Sequence, residues 1–228
     1  AQVREMVRCY ADAADRMRRS GYDGVEVVAS HGYLPAQFLN PRTNVRDDEY
    51  GGSLENRVRF LREVLAGVRA AAGPDLVVGL RISVGEESGE GLTPDETLEA
   101  LALLDADGLV DYVSVVAGTS ATLSGSVHIV PPMTRTNGYT APLARRVKAV
   151  VSVPVMVAGR INQPQDAELI LERGDADATV MTRALICDPE LPTKADEGRL
   201  DEIRACIGCN QACIGHFHAG YPISCIQH

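Results

Sequence analysis

Cys206, Cys209, Cys213 and Cys225 fall in the run CIGCNQACIGHFHAGYPISC, with the spacing C-x2-C-x3-C-x11-C. Three thiolates packed into eight residues, with a fourth brought back by a loop, can surround a cubane, and a [4Fe–4S] centre is held by four cysteines. A structural zinc site more often shows two C-x2-C pairs or histidines at fixed spacing. Zinc and unligated thiols stay open as the competing readings. A disulfide framework fits poorly, because the chain is long and acidic and shows no signal peptide at its start. A bound cluster would move electrons one at a time, so another part of the chain must handle substrate.

The other residues with chemical potential sit where short β-branched runs end. The runs cover residues 25–30, 76–83, 111–117, 154–158 and 178–181, and their near-continuous apolar character suits parallel strands covered on both faces. Between them lie helical periods at 5–20, 54–72, 94–104, 141–150, 165–173 and 189–197. Thr93-Pro94 and Asn162-Gln163-Pro164 place proline near a helix start, and Gly21, Gly73 and Gly174 sit where helices should stop. A βα repeat of this kind builds either an open doubly wound sheet or a closed (β/α)8 barrel. The first run is not followed by G-x-G-x-x-G, and the glycine-rich stretch 85–91 opens no evident phosphate loop, so a barrel is expected. Only five strands are visible where a barrel has eight, so three are expected to precede residue 1 in a longer chain. An open five-stranded arc would leave two unpaired edges and an uncovered lumen, which also argues for a longer chain or a covering partner.

Barrel chemistry collects at the C-terminal ends of strands. The first run leads into His31-Gly32-Tyr33, two side chains able to donate a proton or a hydrogen bond to a substrate oxygen, or to serve as structural hydrogen-bonders. Arg81 stands inside the apolar run Val77-Val78-Gly79-Leu80-Arg81-Ile82 and needs an anionic or polar partner. The last two runs end in Ala158-Gly159-Arg160 and Met181-Thr182-Arg183. Loops after the seventh and eighth barrel strands often hold phosphate, Gly159 permits close backbone approach, and Arg160 and Arg183 supply charge. The charged, glycine-containing stretch 44–57 reads as a rigid scaffold loop whose Ser53 caps the following helix.

The bulk numbers set limits. The chain has 228 residues and a net charge of −9, which disfavours sequence-independent nucleic-acid binding. Trp is absent and only three Phe occur, too few for an aromatic platform under single strands. No apolar run is long enough to span a bilayer. A cytoplasmic protein is expected. The two remaining cysteines, Cys9 and Cys187, read as buried small hydrophobes.

The stretch GYDGVEVVASHGYLPAQFLNPRTNVRDDEYGGSLENRVRFLREVL resembles the flavin-dependent Old Yellow Enzyme family. With the cysteine run, the chain is similar to the iron–sulfur subgroup that includes bacterial 2,4-dienoyl-CoA reductase and trimethylamine dehydrogenase. The resemblance covers essentially the whole chain. It implies an FMN-binding TIM barrel, of which residues 1–198 supply the fourth to eighth strands, followed by a cluster segment at 199–228. The first three strands, and the FAD- and NAD(P)-binding region that follows in the subgroup, are then outside this sequence. Arg81 matches the arginine that meets the flavin ring near N1 and O2, where a positive charge stabilises the reduced form. Ala158, Gly159, Arg160, Thr182 and Arg183 match the FMN phosphate site, and the four cysteines match the cluster ligands. Tyr33 matches a proton donor, Arg42 a substrate contact and His31 a substrate-site histidine.

There are departures. Val28 stands where relatives carry His or Tyr, and His31 stands where the dienoyl-CoA reductase has Glu. That enzyme's second catalytic histidine has no evident counterpart in Ala117-Gly118-Thr119-Ser120-Ala121-Thr122, and no Trp is present to hold a trimethylated cation. LPAQFLNPRTN, AGTSATLSGSVHIVPPM and MTRALICDPE are most similar to N-methylproline or betaine-type demethylases. The expected function is therefore FMN-dependent demethylation of an N-methyl amino acid, with electrons leaving through the cluster. Reduction of an activated alkene with electrons flowing the other way is the alternative. Readings from other classes are a non-catalytic electron-transfer unit and a zinc-stabilised phosphate-binding barrel. The expected partners are a small-molecule substrate, an electron donor or acceptor, and a second copy in a homo-oligomer, with no nucleic acid and no membrane.

Overall fold

The computed structural model describes residues 1–86 and 91–228, so four positions of the glycine-rich stretch 85–91 lie outside the described residues. The chain opens with α1 (Gln2–Arg19), β1 (Gly24–Ala29), a short α2 (Leu34–Leu39) and α3 (Leu54–Ala72). It continues through β2 (Val77–Ser83), α4 (Pro94–Asp105), β3 (Tyr112–Val116), α5 (Leu123–Ile129), α6 (Ala141–Lys148) and β4 (Val155–Ala158). Then follow α7 (Pro164–Glu172), β5 (Ala178–Val180), α8 (Arg183–Cys187) and α9 (Leu191–Asp196). A 3-10 turn (Leu200–Glu202), a π turn (Gln211–Gly215) and α10 (His216–Ala219) complete the order.

The five strands form one all-parallel sheet in the order β1-β2-β3-β4-β5, the α/β arrangement expected. Alternation along each strand divides the sheet into two faces. Val27, Ala29, Val78, Leu80, Ile82, Val113, Val115, Val155 and Val157 are buried against the helices. The opposite face carries Glu26, Gly79, Arg81, Tyr112, Ser114 and Met156.

Helix starts follow local rules. Thr93 and Glu96 form a reciprocal capping box at α4, with Pro94 in the first turn, where a missing N–H costs nothing. The Ser53 side chain accepts from the Asn56 N–H at the start of α3, and Gly73 ends that helix with φ 72°. The scaffold loop before α3 is internally tied. Asn44 Nδ2 donates to the carbonyls of Phe38 and Tyr50. Buried Arg57 donates to Leu39 O and Gly52 O and pairs with Glu96.

Three short helices, two of which reach the cavity described below, were not evident as periodic patterns. α2, α5 and α8 have six, seven and five residues, too short for a 3.6-residue period to declare itself. Cys9 corrects the sequence reading, because it is exposed. The buried stripe of α1 runs through Val3, Val7, Tyr10 and Ala14, at three- and four-residue intervals, and position 9 falls beside it. Cys187 is buried, as expected.

Candidate active site

The C-terminal ends of the strands open onto a cavity of about 280 Å3. Its wall takes His31 from the end of β1, Arg81 from β2 and Val116 and Ala117 from β3. The 158–162 loop, the 180–184 turn, His128 of α5, and Cys206, Gly208 and Cys213 complete much of it.

His31 is placed by backbone bonding. Its N–H donates to Ser83 Oγ at 3.0 Å, and its carbonyl accepts from the Ser120 N–H at 3.0 Å and the Ser120 hydroxyl at 2.8 Å. These bonds hold it at φ 58°. Burial pushes the imidazole below its ordinary value against the raising effect of the Gly118 carbonyl, with Arg81 adding to the depression, so the ring is neutral at pH 7. Among the described residues, the non-glycine positions with left-handed backbone are His31, Arg160 and Asn210. Each costs about 1–3 kcal/mol, and all three stand at this cavity or at the cysteine segment beside it.

Arg81 lines the cavity, and its Nε donates to Glu26 Oε1 at 2.6 Å. Glu26 Oε2 accepts from the Tyr112 hydroxyl at 3.1 Å. The anionic partner that Arg81 requires is therefore a carboxylate one strand away. Gly79 lies between Glu26 and Tyr112 in register, and a Cβ added there would stand 2.1 Å from the Tyr112 ring.

The far end of the cavity is basic. Arg160 and Arg183 both line it, and among the described residues neither is in an ion pair with a carboxylate. Arg160 Nε is buried without a hydrogen-bond partner. Burial pushes the Arg183 guanidinium below its ordinary value; the nearby cysteines oppose this and Arg160 reinforces it. Gly159 packs so closely on Thr140 that an added Cβ would lie 2.1 Å from its hydroxyl. Two half-buried cations, one with an orphaned buried donor, fit an anion such as a phosphate.

The cysteine segment roofs this basic end. Asn162 Nδ2 donates to Cys206 O, Met133 N–H donates to Gly208 O at 2.9 Å, and Arg183 Nη1 donates to Asn210 Oδ1 at 2.6 Å. Asn210 Nδ2 donates to Val130 O at 2.8 Å. The base of the segment is pinned by Asp188, whose Oδ2 accepts from Lys194 Nζ at 2.8 Å and from the Arg204 N–H at 2.9 Å. Cys206, Cys209, Cys213 and Cys225 all line a second, smaller cavity on the other side of this segment. Among the described residues no three His, Cys, Asp or Glu side chains converge closely enough to hold one ion. The two cavities share a wall made by Arg183, Ile186, Cys206 and Cys213. Buried Cys187 contacts Cys225 through its thiol, and burial, with that contact, pushes Cys187 up to about 12.

Of the residues singled out from sequence, His31, Arg81, Ala158, Gly159, Arg160, Thr182 and Arg183 are brought together at the first cavity and the four cysteines at the second. Tyr33 and Arg42 do not line either. The Tyr33 ring is 58 % exposed, and Arg42 is exposed in the loop after α2. Glu26, Tyr112, His128, Asn162 and Asn210 were missed. Glu26 carried the same signal as Arg81, a charge inside an apolar strand. His128 follows β3, six residues beyond the 117–122 stretch that lacks a histidine, and its Nδ1 lies 3.2 Å from the Tyr139 hydroxyl.

Comparison with known proteins places the chain in a family. The sequence profile of the NADH:flavin oxidoreductase / NADH oxidase family matches residues 1–202. The chain belongs to that family. It is 42% identical over 226 residues to an N,N-dimethylglycine/sarcosine dehydrogenase of Chromohalobacter salexigens, covering 99% of this chain and 32% of the relative. It is 41% identical over 226 residues to a metal reductase of Desulforamulus reducens, covering 99% of this chain and 33% of the relative. A solved 2-naphthoyl-CoA reductase complex superposes with TM-score 0.91 at 34% identity, covering 99% of this chain and 34% of that one. The chain thus spans about a third of the length of these relatives. The five-stranded parallel sheet matches the TIM-barrel architecture of such neighbours. FMN is this family's cofactor. The first cavity fits it on its own terms, through two guanidinium groups without a carboxylate partner and the orphaned Arg160 Nε, together with the Arg81 cation. The profile ends just before Cys206, so the cysteine segment lies outside the matched residues. Among the described residues no helix is long and apolar enough to cross a membrane.

Proposed function

We propose that this chain is the flavin-and-cluster part of an enzyme that oxidatively demethylates an N-methyl amino acid and passes the electrons to a [4Fe–4S] cluster. The observation that carries the reading is the shared wall. Cys206 and Cys213 face both cavities, so a group held by the cysteines would lie against the wall of the cavity that would hold FMN. Four cysteines at the spacing C-x2-C-x3-C-x11-C that line one cavity suit a cluster better than a mononuclear zinc. Bound FMN would supply a two-electron hydride acceptor, and the cluster a one-electron exit. The amine-oxidising relative supports the substrate class.

The chain's own residues have separable tasks in this reading. Arg160 and Arg183, with the backbone at Gly159 and Thr182, hold the phosphate and fix the depth of the ring. Arg81 presents positive charge at the inner wall. His31, neutral at pH 7, donates or accepts a hydrogen bond at the rim and helps place the substrate carboxylate, with Arg42 as a second cation on the open side. Apolar Val116, Ala117, Ile129 and Met181 keep water from the reacting carbon until hydrolysis of the iminium releases an aldehyde.

A second reading, reduction of an activated alkene, draws support from the close likeness to the naphthoyl-CoA reductase and uses Tyr33 as proton donor. Full-length protein purified without oxygen tests both. The expected result is FMN, iron and inorganic sulfide in the protein, with flavin absorbance bleached by N-methyl amino acids and not restored by enoyl thioesters. Tyr33→Phe should leave demethylation near normal and would abolish alkene reduction. Protein lacking iron and sulfide would sink the cluster assignment.

A further inference from the structure

The Arg81 guanidinium is held from behind. Its Nε–H is committed to Glu26 at 2.6 Å, and among the described residues its other N–H groups have no protein partner. The second Glu26 oxygen is engaged by Tyr112 at 3.1 Å. The three side chains rise from adjacent parallel strands, and only a glycine at position 79 leaves room for the phenol between them. Tyr112 and Glu26 themselves do not line the cavity; Arg81 does.

We propose that Glu26 is a positioning residue for the flavin: its ion pair fixes the direction of the free Arg81 N–H groups and offsets part of their charge, and so sets the reduction potential of bound FMN. This rests on the FMN reading of the first cavity. The physical reason is that reduction adds negative charge to the ring, so any cation beside it favours the reduced form. A carboxylate 2.6 Å behind that cation opposes the effect, and in a partly buried site the opposition is poorly screened. Tyr112 moderates the carboxylate in turn, because a donated hydrogen bond spreads its charge. Burial and the nearby Glu26 charge hold the phenol up to about 12, so it remains a donor throughout the working range.

The two substitutions have opposite expected signs. Glu26→Gln keeps a carbonyl oxygen for the Arg81 Nε–H but removes the negative charge, so the FMN midpoint potential should rise. Tyr112→Phe keeps the ring and its packing but withdraws the donor from Glu26, so the potential should fall. The experiment is spectroelectrochemical titration of FMN in anaerobically purified full-length wild type and both variants, with the cluster potential followed by EPR as an internal standard that should not move. Opposite shifts of the flavin potential support the proposal. Unshifted potentials in variants that retain FMN, or shifts of the same sign, overturn it. If Glu26→Gln does not fold, Tyr112→Phe alone decides: a fall supports the proposal, and no change or a rise refutes it. Wild-type protein that contains no FMN would overturn the cofactor reading itself, and this proposal with it, before any variant is compared.

Discussion

Replacing Arg160 by Ala tests the phosphate end of the cavity most directly. The side chain is half-buried, its Nε is buried without a partner, its Nη1 donates to Ile207 O at 3.5 Å, and no carboxylate pairs with it among the described residues. Removing it therefore breaks no ion pair in the apoprotein and costs only the long contact to Ile207 O. With FMN bound, the variant loses at least one hydrogen bond between charged groups, worth about 1.5–3 kcal/mol. That corresponds to an FMN affinity weaker by about 10- to 150-fold. A bidentate contact would place the loss at the upper end of this range. The assay is fluorescence titration of deflavinated full-length protein with FMN and, separately, with riboflavin, which lacks the phosphate. Wild type should prefer FMN strongly, and Arg160→Ala should erase most of that preference while leaving riboflavin binding unchanged. Arg160→Lys should recover part of the FMN affinity, since it restores charge without the planar fork. An FMN affinity equal to wild type, or an equal loss for riboflavin, would refute the assignment of Arg160 to phosphate.

Further expectations concern the scaffold. Asp188→Asn should loosen the segment from residue 199 onward, lowering iron and sulfide content while FMN binding persists; iron at wild-type level would contradict the anchoring role. Lys194 and the Arg204 N–H hold the Asp188 carboxyl down to about 2, below the ordinary 3.8, so its contribution to stability is fully present above about pH 4 and is lost as pH falls through about 2. Hydrogen exchange in the segment should accordingly rise only in that acid window. Gly79→Ala drives a Cβ to 2.1 Å from the Tyr112 ring, and such overpacking costs about 1–3 kcal/mol, readable as a lower Tm. Adding Tyr112→Ala should restore part of the loss, and a Gly79→Ala protein with unaltered Tm would show that the ring moves freely.

Strand positions were legible because burial on both faces writes itself into composition. All five runs became strands, with each boundary within one residue of its expected place. The cysteine spacing and the arginines at the last two strand ends were equally plain, since a cofactor's charge or metal demands particular residue types. What sequence could not supply is adjacency across the sheet. Glu26 and Arg81 are 55 residues apart, and only parallel register makes them a pair. His128 reaches the cavity on a seven-residue helix whose pattern is too brief to read. The misreading of Cys9 has the same origin, because a residue type states a preference for burial while the stripe of α1 that meets α3 decides who receives it. Residue chemistry thus determined which arginines and cysteines are present for the proposed phosphate and cluster sites. Tertiary packing alone decided that the two cavities share Cys206 and Cys213, because that wall is built by folding a segment beyond β5 back across the strand ends.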